Sequence, residues 1–275
     1  MNIVGVVVLF YPNEEVIKNI RTYYNKLDLL FVIDNTPIES NINLKKYFNN
    51  IIYLHQGSNE GIAFSYNLAL KKAQELEYEY LLIMDQDSSF EEEIFQKYLK
   101  CIKCNKKEKI SIYSVNHLKK KNPLECKYEI NKIVMSSGNI IKVNHLIKIG
   151  GFDEKLFIDE VDHDICIRIM LNGYNIIYFN NLFINHNLGY VINIKNKKIR
   201  TYSSKRLYYI VRNYLYVRNK FKKYSLEFFN ERDKFMRKFI LYNFLFSKSK
   251  LKVIFYLIKA LKDYLFNKMG KRVEI

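Results

Sequence analysis

Tyr80-Leu81-Leu82-Ile83-Met84-Asp85-Gln86-Asp87 is an apolar run that stops on two carboxylates. A short apolar run bounded by polar residues reads as a buried strand. Side chains i and i+2 of an extended chain point the same way, so Asp85 and Asp87 are expected on one side. Three runs of the same kind precede it: Ile3 to Phe10, Leu29 to Ile33 and Ile51 to Leu54. Helical patterns lie between them. Asn13 can cap a helix with acids in its first turn, and Glu60 to Ala73 sets Ile62, Tyr66, Ala69, Leu70 and Ala73 on one face. Strand alternating with helix predicts a doubly wound α/β fold with a largely parallel sheet.

Ligands of such folds bind at the carboxyl ends of the strands. The polar clusters of this chain fall there: Asp34-Asn35, His55 to Gly61, and Asp85-Gln86-Asp87. Two hard oxygen donors on one side suit Mg²⁺ or Mn²⁺, which in turn can hold a diphosphate. Asp-x-Asp alone is a common solvated turn; its strand-end position favours the metal.

Further along, 105–135 is lysine-rich and weakly patterned, with an edge strand expected at Ile110 to Val115. Met135 to Val143 reads as a strand containing Gly138, Asp159 to Leu171 as a helix, and Asn175 to Phe179 and Leu182 to Ile184 as short strands. The segment Asp159-Glu160-Val161-Asp162-His163-Asp164 is crowded with carboxylates, and apolar residues flank it. Acids at a helix start complement its dipole. Crowding at a half-buried start also raises carboxylate pKa values, which suits a general base. Gly150-Gly151 just before it permits close approach to a ligand. His186, after a short strand, is a candidate third metal ligand.

The net charge of +17 is unevenly placed. Residues 195–275 hold 23 Lys/Arg against 5 Asp/Glu, and the rest of the chain is nearly neutral. Two or three helices are expected from about Ser203, with Phe235, Phe239, Tyr242 and Phe246 on one face near Lys234, Arg237 and Lys238. Such a surface meets polyanions. Nucleic acid is disfavoured because the strand-end carboxylates would repel its backbone. A dinucleotide enzyme is disfavoured because no G-x-G-x-x-G follows the first strand. A non-catalytic membrane-docking or polyanion-binding protein is the reading from another class. Cys101-Ile-Lys-Cys104 has metal or redox spacing, but no second close pair accompanies it. Its cysteines read as reduced thiols on one helix. Met1 to Val8 has no basic n-region, so no secretory signal is read there.

Several pieces come in an order that resembles the family-2 glycosyltransferases of GT-A fold, in particular their bacterial rhamnosyltransferase-like branch. They are Val6 to Pro12, Val32-Ile33-Asp34-Asn35, Asn59-Glu60-Gly61-Ile62-Ala63 with Asn67, Asp85-Gln86-Asp87, and Ser137-Gly138-Asn139. Gly150 to Glu154, Phe157-Ile158-Asp159, Val161 to Arg168, His186-Asn187-Leu188-Gly189, and Arg206 to Tyr209 with Arg212-Asn213 complete the set. Two positions depart from the pattern: Leu9 replaces a Thr or Ser, and Val161-Asp162 replaces Glu-Asp.

The resemblance implies a GT-A catalytic domain over 1–200, with a nucleotide-sugar half at about 1–104 and an acceptor half at about 105–200. It leaves 201–275 as a basic, aromatic, membrane-associating helical extension. It implies a nucleotide-sugar site at Phe10, Tyr11, Asp34, Asn35, Asn59, Gly61, Asn67, Asp85 and Gln86. Asp85, Asp87 and His186 would hold Mn²⁺ or Mg²⁺, and Ser137, Gly138, Asp164 and Arg168 would line the acceptor or sugar pocket. Asp162 is the implied base and Asp159 the runner-up. The implied reaction is inverting transfer from dTDP-L-rhamnose, or from a UDP-hexose, to a glycan or lipid-linked acceptor. The implied place is the cytoplasmic face of the cell membrane, on an anionic lipid surface. Homo-oligomerisation is left open.

Overall fold

The computed structural model describes residues 1–117, 126–186, 190–194 and 197–275, with the backbone alone at 92, 190–194 and 197–200. Two compact units are formed, one from Met1–Asp153 with Val161–Asn187, the other from Glu154–Glu160 with Leu188–Ile275.

The first unit runs β1 (Ile3–Leu9), α1 (Glu15–Tyr24), β2 (Leu29–Asp34), β3 (Ile51–His55), α2 (Ile62–Glu75) and β4 (Tyr80–Asp85). It continues through β5 (Ser88–Ser89), α3 (Glu92–Cys104), β6 (Ile110–Asn116), β7 (Tyr128–Ile130), β8 (Asn139–Lys142) and α4 (Val143–Lys148). It ends with α5 (Val161–Leu171), β9 (Asn175–Phe183) and β10 (Asn185–His186). Eight strands form one sheet in the order β3-β2-β1-β4-β8-β6-β9-β7. The β3-β2-β1-β4 half is parallel, as the alternation of strand and helix predicts. β8 runs antiparallel to both β4 and β6, and β6 pairs parallel with β9. The apolar runs of β1, β2 and β4 are buried because helices cover both faces of a parallel sheet.

Several expectations change. The strand expected over Met135 to Val143 is only Asn139–Lys142, with Gly138 in the turn before it, and the two short strands expected at Asn175 to Phe179 and Leu182 to Ile184 are the single strand β9. Ile110 to Val115 is interior rather than an edge, since β6 lies between β8 and β9 and even Ser111 and Ser114 are buried. The helix expected from Asp159 begins at Val161, because Asp159 and Glu160 have φ of 64° and 63°. The cysteines are not all thiols: Cys101 on α3 is bonded to Cys126, Cα to Cα 5.5 Å. Spacing could not reveal this pairing, because Cys126 follows an unpatterned lysine-rich stretch.

The second unit holds the hairpin β11 (Tyr190–Ile194) and β12 (Lys197–Thr201), then α6 (Ser204–Phe221), α7 (Leu226–Leu245) and α8 (Lys250–Leu265). The hairpin was not expected. Within this unit the loop Glu154–Glu160 carries three left-handed residues, Phe157, Asp159 and Glu160. Each such residue costs about 1–3 kcal/mol and persists only where its surroundings fix it. Here α6 does so. The Asn213 amide nitrogen donates to the carbonyls of Leu156, Ile158 and Asp159. Its oxygen accepts from Arg212 Nε at 3.0 Å, so the amide cannot turn over. Arg212 is fully buried against the faces of Tyr208 and Tyr209. Arg206 grips Asp159 with two parallel hydrogen bonds, 2.7 and 2.9 Å.

Asn213→Ala strands the loop carbonyls and leaves Arg212 Nε without its acceptor. It is expected to destabilise the protein by about 1–3 kcal/mol per buried group left unsatisfied. Chemical denaturation checks this; an unchanged midpoint would show that the loop holds its shape without the amide.

Candidate active site

The site starts where β4 ends. After Asp85 the chain turns, and Ser88–Ser89 pair antiparallel with Asn185–His186, setting His186 opposite Ser88. That pairing brings a residue a hundred positions away beside the two acids. His186 Nε2 lies 3.4 Å from Asp85 Oδ2 and 3.4 Å from Asp87 Oδ1. One donor atom from each of the three residues falls within 4.8 Å of the others. Burial raises the pKa of both Asp85 and Asp87; the neighbouring Asp87 and Asp162 charges raise Asp85 further, and His186 lowers both. Two half-buried carboxylates and an imidazole are a donor set that a hard divalent cation fits. The motif continues into Asn187-Leu188-Gly189, which lie outside the described residues.

The turn itself is braced. Ser137 Oγ accepts from Asp85 N at 3.0 Å and donates to Ser88 Oγ at 2.8 Å. Ser137 thus stands behind the acids. Gly138 follows with φ of 84°, and a Cβ there would meet Val115 Cγ2 at 2.9 Å. Its place is a packing constraint. Tyr66 of α2 donates to Asp85 Oδ1 at 3.3 Å.

One residue was missed. His117 Nδ1 lies 3.0 Å from His186 Nδ1. Burial, and then the neighbouring His186, push His117 down to about 4, so it is neutral and can accept. In the tautomer that directs the Nδ1–H of His186 at His117, His186 Nε2 would offer its lone pair to a cation beside the acids. Metal-binding histidines are held this way by a second partner. The only signal in the sequence was the rarity of the residue, five histidines in 275 positions.

Among the residues expected to receive the nucleotide, several act as clamps between loops. Gln86 closes a two-point bond with the backbone of Phe10, 2.8 and 3.1 Å. Tyr11, exposed at φ of 46°, donates its N–H to Thr36 Oγ1. Asp34 is fully buried, and its oxygens accept from Thr36 N and the Tyr53 hydroxyl. Asn35 donates to Gly61 O, and Asn59 Oδ1 accepts from Gly61 N, shaping the start of α2. Asn67 makes a two-point bond with the backbone of Phe152.

The acid-rich segment separates by role. Asp162, in the first turn of α5, is part-exposed; its Oδ1 accepts from the backbone N–H of His163. Its charge bears on Asp85, Tyr66 and His117. Asp164 is fully buried and accepts from Arg168, whose other nitrogens donate to Ile149 O and Gly151 O. Asp164 and Arg168 therefore lock the Gly150-Gly151 turn. Asp159 belongs to the other unit, in the grip of Arg206.

The chain resembles known proteins over most of its length. The chain is 28% identical over 239 residues to the dTDP-rhamnosyl transferase RfbF of Shigella flexneri, covering 77% of this chain and 78% of that protein. Among solved structures it resembles TarS of S. aureus, with a TM-score of 0.57 at 16% identity, covering 97% of this chain and 49% of TarS. It thus spans about half the length of that protein. A shorter TarS, residues 1–349 in complex with UDP-GlcNAc, gives a TM-score of 0.57 at 17% identity, covering 96% of this chain and 81% of that one. These likenesses show the GT-A fold. The profile of Glycosyl transferase family 2 matches residues 13–151, half of the chain, and the chain belongs to that family.

Proposed function

We propose that this glycosyltransferase is an inverting, metal-dependent hexosyltransferase. It moves L-rhamnose from dTDP-L-rhamnose onto a glycan or lipid-linked glycan in cell-surface polysaccharide synthesis. The observation that carries the reading is the Asp85-Asp87-His186 cluster at the end of β4. The relative named a dTDP-rhamnosyl transferase supports the donor. A UDP-hexose is the second reading, supported by the TarS complex with UDP-GlcNAc.

Asp85, Asp87 and His186 would hold Mn²⁺ or Mg²⁺. Bound there, the cation supplies charge stabilisation for a departing nucleoside diphosphate. The residues from Phe10 to Tyr11, Asp34-Asn35 and Asn59 to Asn67 would receive the nucleotide. Asp162 takes the proton of the acceptor hydroxyl. The oxygen attacks the anomeric carbon from the face opposite the diphosphate, the old carbon–oxygen bond breaks, and the configuration inverts. Asp159 is the weaker candidate for the base, because Arg206 occupies both its oxygens. No helix of the described residues is long and apolar enough to cross a membrane. The basic C-terminal region would hold the enzyme peripherally on the anionic cytoplasmic face, where a lipid-linked acceptor lies.

A panel of nucleotide sugars with Mn²⁺ or Mg²⁺, read by free nucleoside diphosphate, tests the reaction. Turnover with dTDP-L-rhamnose is expected, with its loss in excess chelator and in Asp87→Ala. Full turnover in chelator would sink the metal reading.

Asp162→Asn keeps the shape and removes the proton acceptor. A fall in transfer of ~10²–10⁴-fold with near-normal donor binding is expected. Normal transfer by Asp162→Asn beside a dead but folded Asp159→Asn would reverse the two roles.

His117→Ala is expected to weaken Mn²⁺ binding by ~10–100-fold, read by electron paramagnetic resonance without donor. His117→Asn, which keeps an acceptor near the position of Nδ1, should recover much of it. Equal affinity in all three proteins would mean that His117 only fills space.

A further inference from the structure

α8 carries two apolar faces. Val253 and Ala260 are buried on one, and Asp263 beside them accepts from the Tyr208 hydroxyl of α6 and from Lys259. The other face is bare. Leu251, Ile254, Phe255, Ile258, Leu261 and Leu265 are all exposed, Leu251 by 81% and Leu265 by 76%. At 100° per residue they fall within an arc of about 120°. The helix is 16 residues long, so the stripe runs for about 24 Å. Exposed Phe266 extends it. A stripe of this kind on a soluble surface marks a partner.

The charges decide which partner. Lys250 and Lys252 border the stripe on its two sides, Lys262 projects within its arc, and all three are exposed. An isologous pair of this chain would set the same lysines against their copies. That arrangement repels unless anions intervene. A nucleic acid would satisfy the lysines and leave six large apolar side chains in water. An anionic bilayer satisfies both: apolar side chains enter the acyl boundary and lysines reach the headgroups. The aromatic row of α7 and its C-cap fits less well, because it is broken: Phe235 and Tyr242 are exposed, but Phe239 and Phe246 are half-buried, and Phe239 packs on Tyr202.

We infer that the outer face of α8 is the membrane-contact surface of this protein, lying flat on anionic lipid. The inference rests on the peripheral-membrane reading above and assigns the contact to α8 rather than to α7.

Co-sedimentation of the full chain with vesicles tests it. Phosphatidylcholine alone is compared with phosphatidylcholine containing phosphatidylglycerol, for the wild type, Phe255→Glu/Ile258→Glu and Phe235→Glu. Both sites are exposed, and unchanged melting temperature and donor hydrolysis would show that the variants fold. Wild type and Phe235→Glu are expected to bind the anionic vesicles alike, and the α8 variant at least about tenfold more weakly. Equal binding by the α8 variant would overturn the assignment and leave the peripheral reading standing. No binding by the wild type to anionic vesicles would overturn both. If the wild type sediments as a dimer that the α8 variant splits, with vesicle binding unchanged, a second copy covers the stripe and the assignment falls.

Discussion

A ladder of two residues on each side holds this site together. Ser88–Ser89 against Asn185–His186 is the connection that sets an imidazole beside two carboxylates at the end of β4. Two residue pairs are a weak ladder alone. It survives because both sides are fixed from behind: Ser137 bonds the turn after β4 through Asp85 N and Ser88 Oγ, and His117 receives the outer nitrogen of His186. His186, through His117, and Asp85, through Tyr66, are therefore oriented before any ligand arrives. Preorganisation of this kind removes the reorganisation that charge development would otherwise require.

The chain uses many of its polar residues twice. Gln86 stands between the two acids in sequence, yet its side chain ties the loop after β1 to the loop after β4. Asn67 fastens α2 to the backbone of Phe152, and Gly151 has no room for a Cβ because Asn67 Oδ1 would lie 2.6 Å from it. Asp164 and Arg168 secure the same turn from α5. These bonds tie the loop after β1 to the loop after β4, and α2 and α5 to the Gly150–Phe152 turn, and they leave Asp162 as the part-exposed carboxylate of α5. The left-handed loop Glu154–Glu160, held by Asn213 and Arg206, explains why Asp159 precedes the helix instead of joining it.

Much of this was legible in the sequence. Unbroken apolar runs ending in polar residues located β1, β2 and β4, because strands buried on both faces leave that signature. The two acids at the end of β4 and His186 were found by type and position. What stayed hidden depended on pairing rather than pattern. The lysine-rich, weakly patterned stretch around β6 disguised it as an edge strand, and nothing local announced that Asp159 and Glu160 would be left-handed. Cys101 finds Cys126 across an unpatterned stretch. His117 meets His186 only through the fold, so no spacing rule could link them. The bare face of α8 escaped because its six apolar positions look the same in sequence as a second packing face; only the neighbouring helices decide which face is covered.

The central claim is that Asp85, Asp87 and His186 hold a divalent cation on which the donor diphosphate rests. Calorimetric titration of dTDP into the full chain tests it directly, with Mn²⁺ present and again with the cation removed by chelator. The account predicts saturable binding with Mn²⁺ that weakens strongly once the cation is gone. Binding of equal affinity and enthalpy in chelator would contradict it.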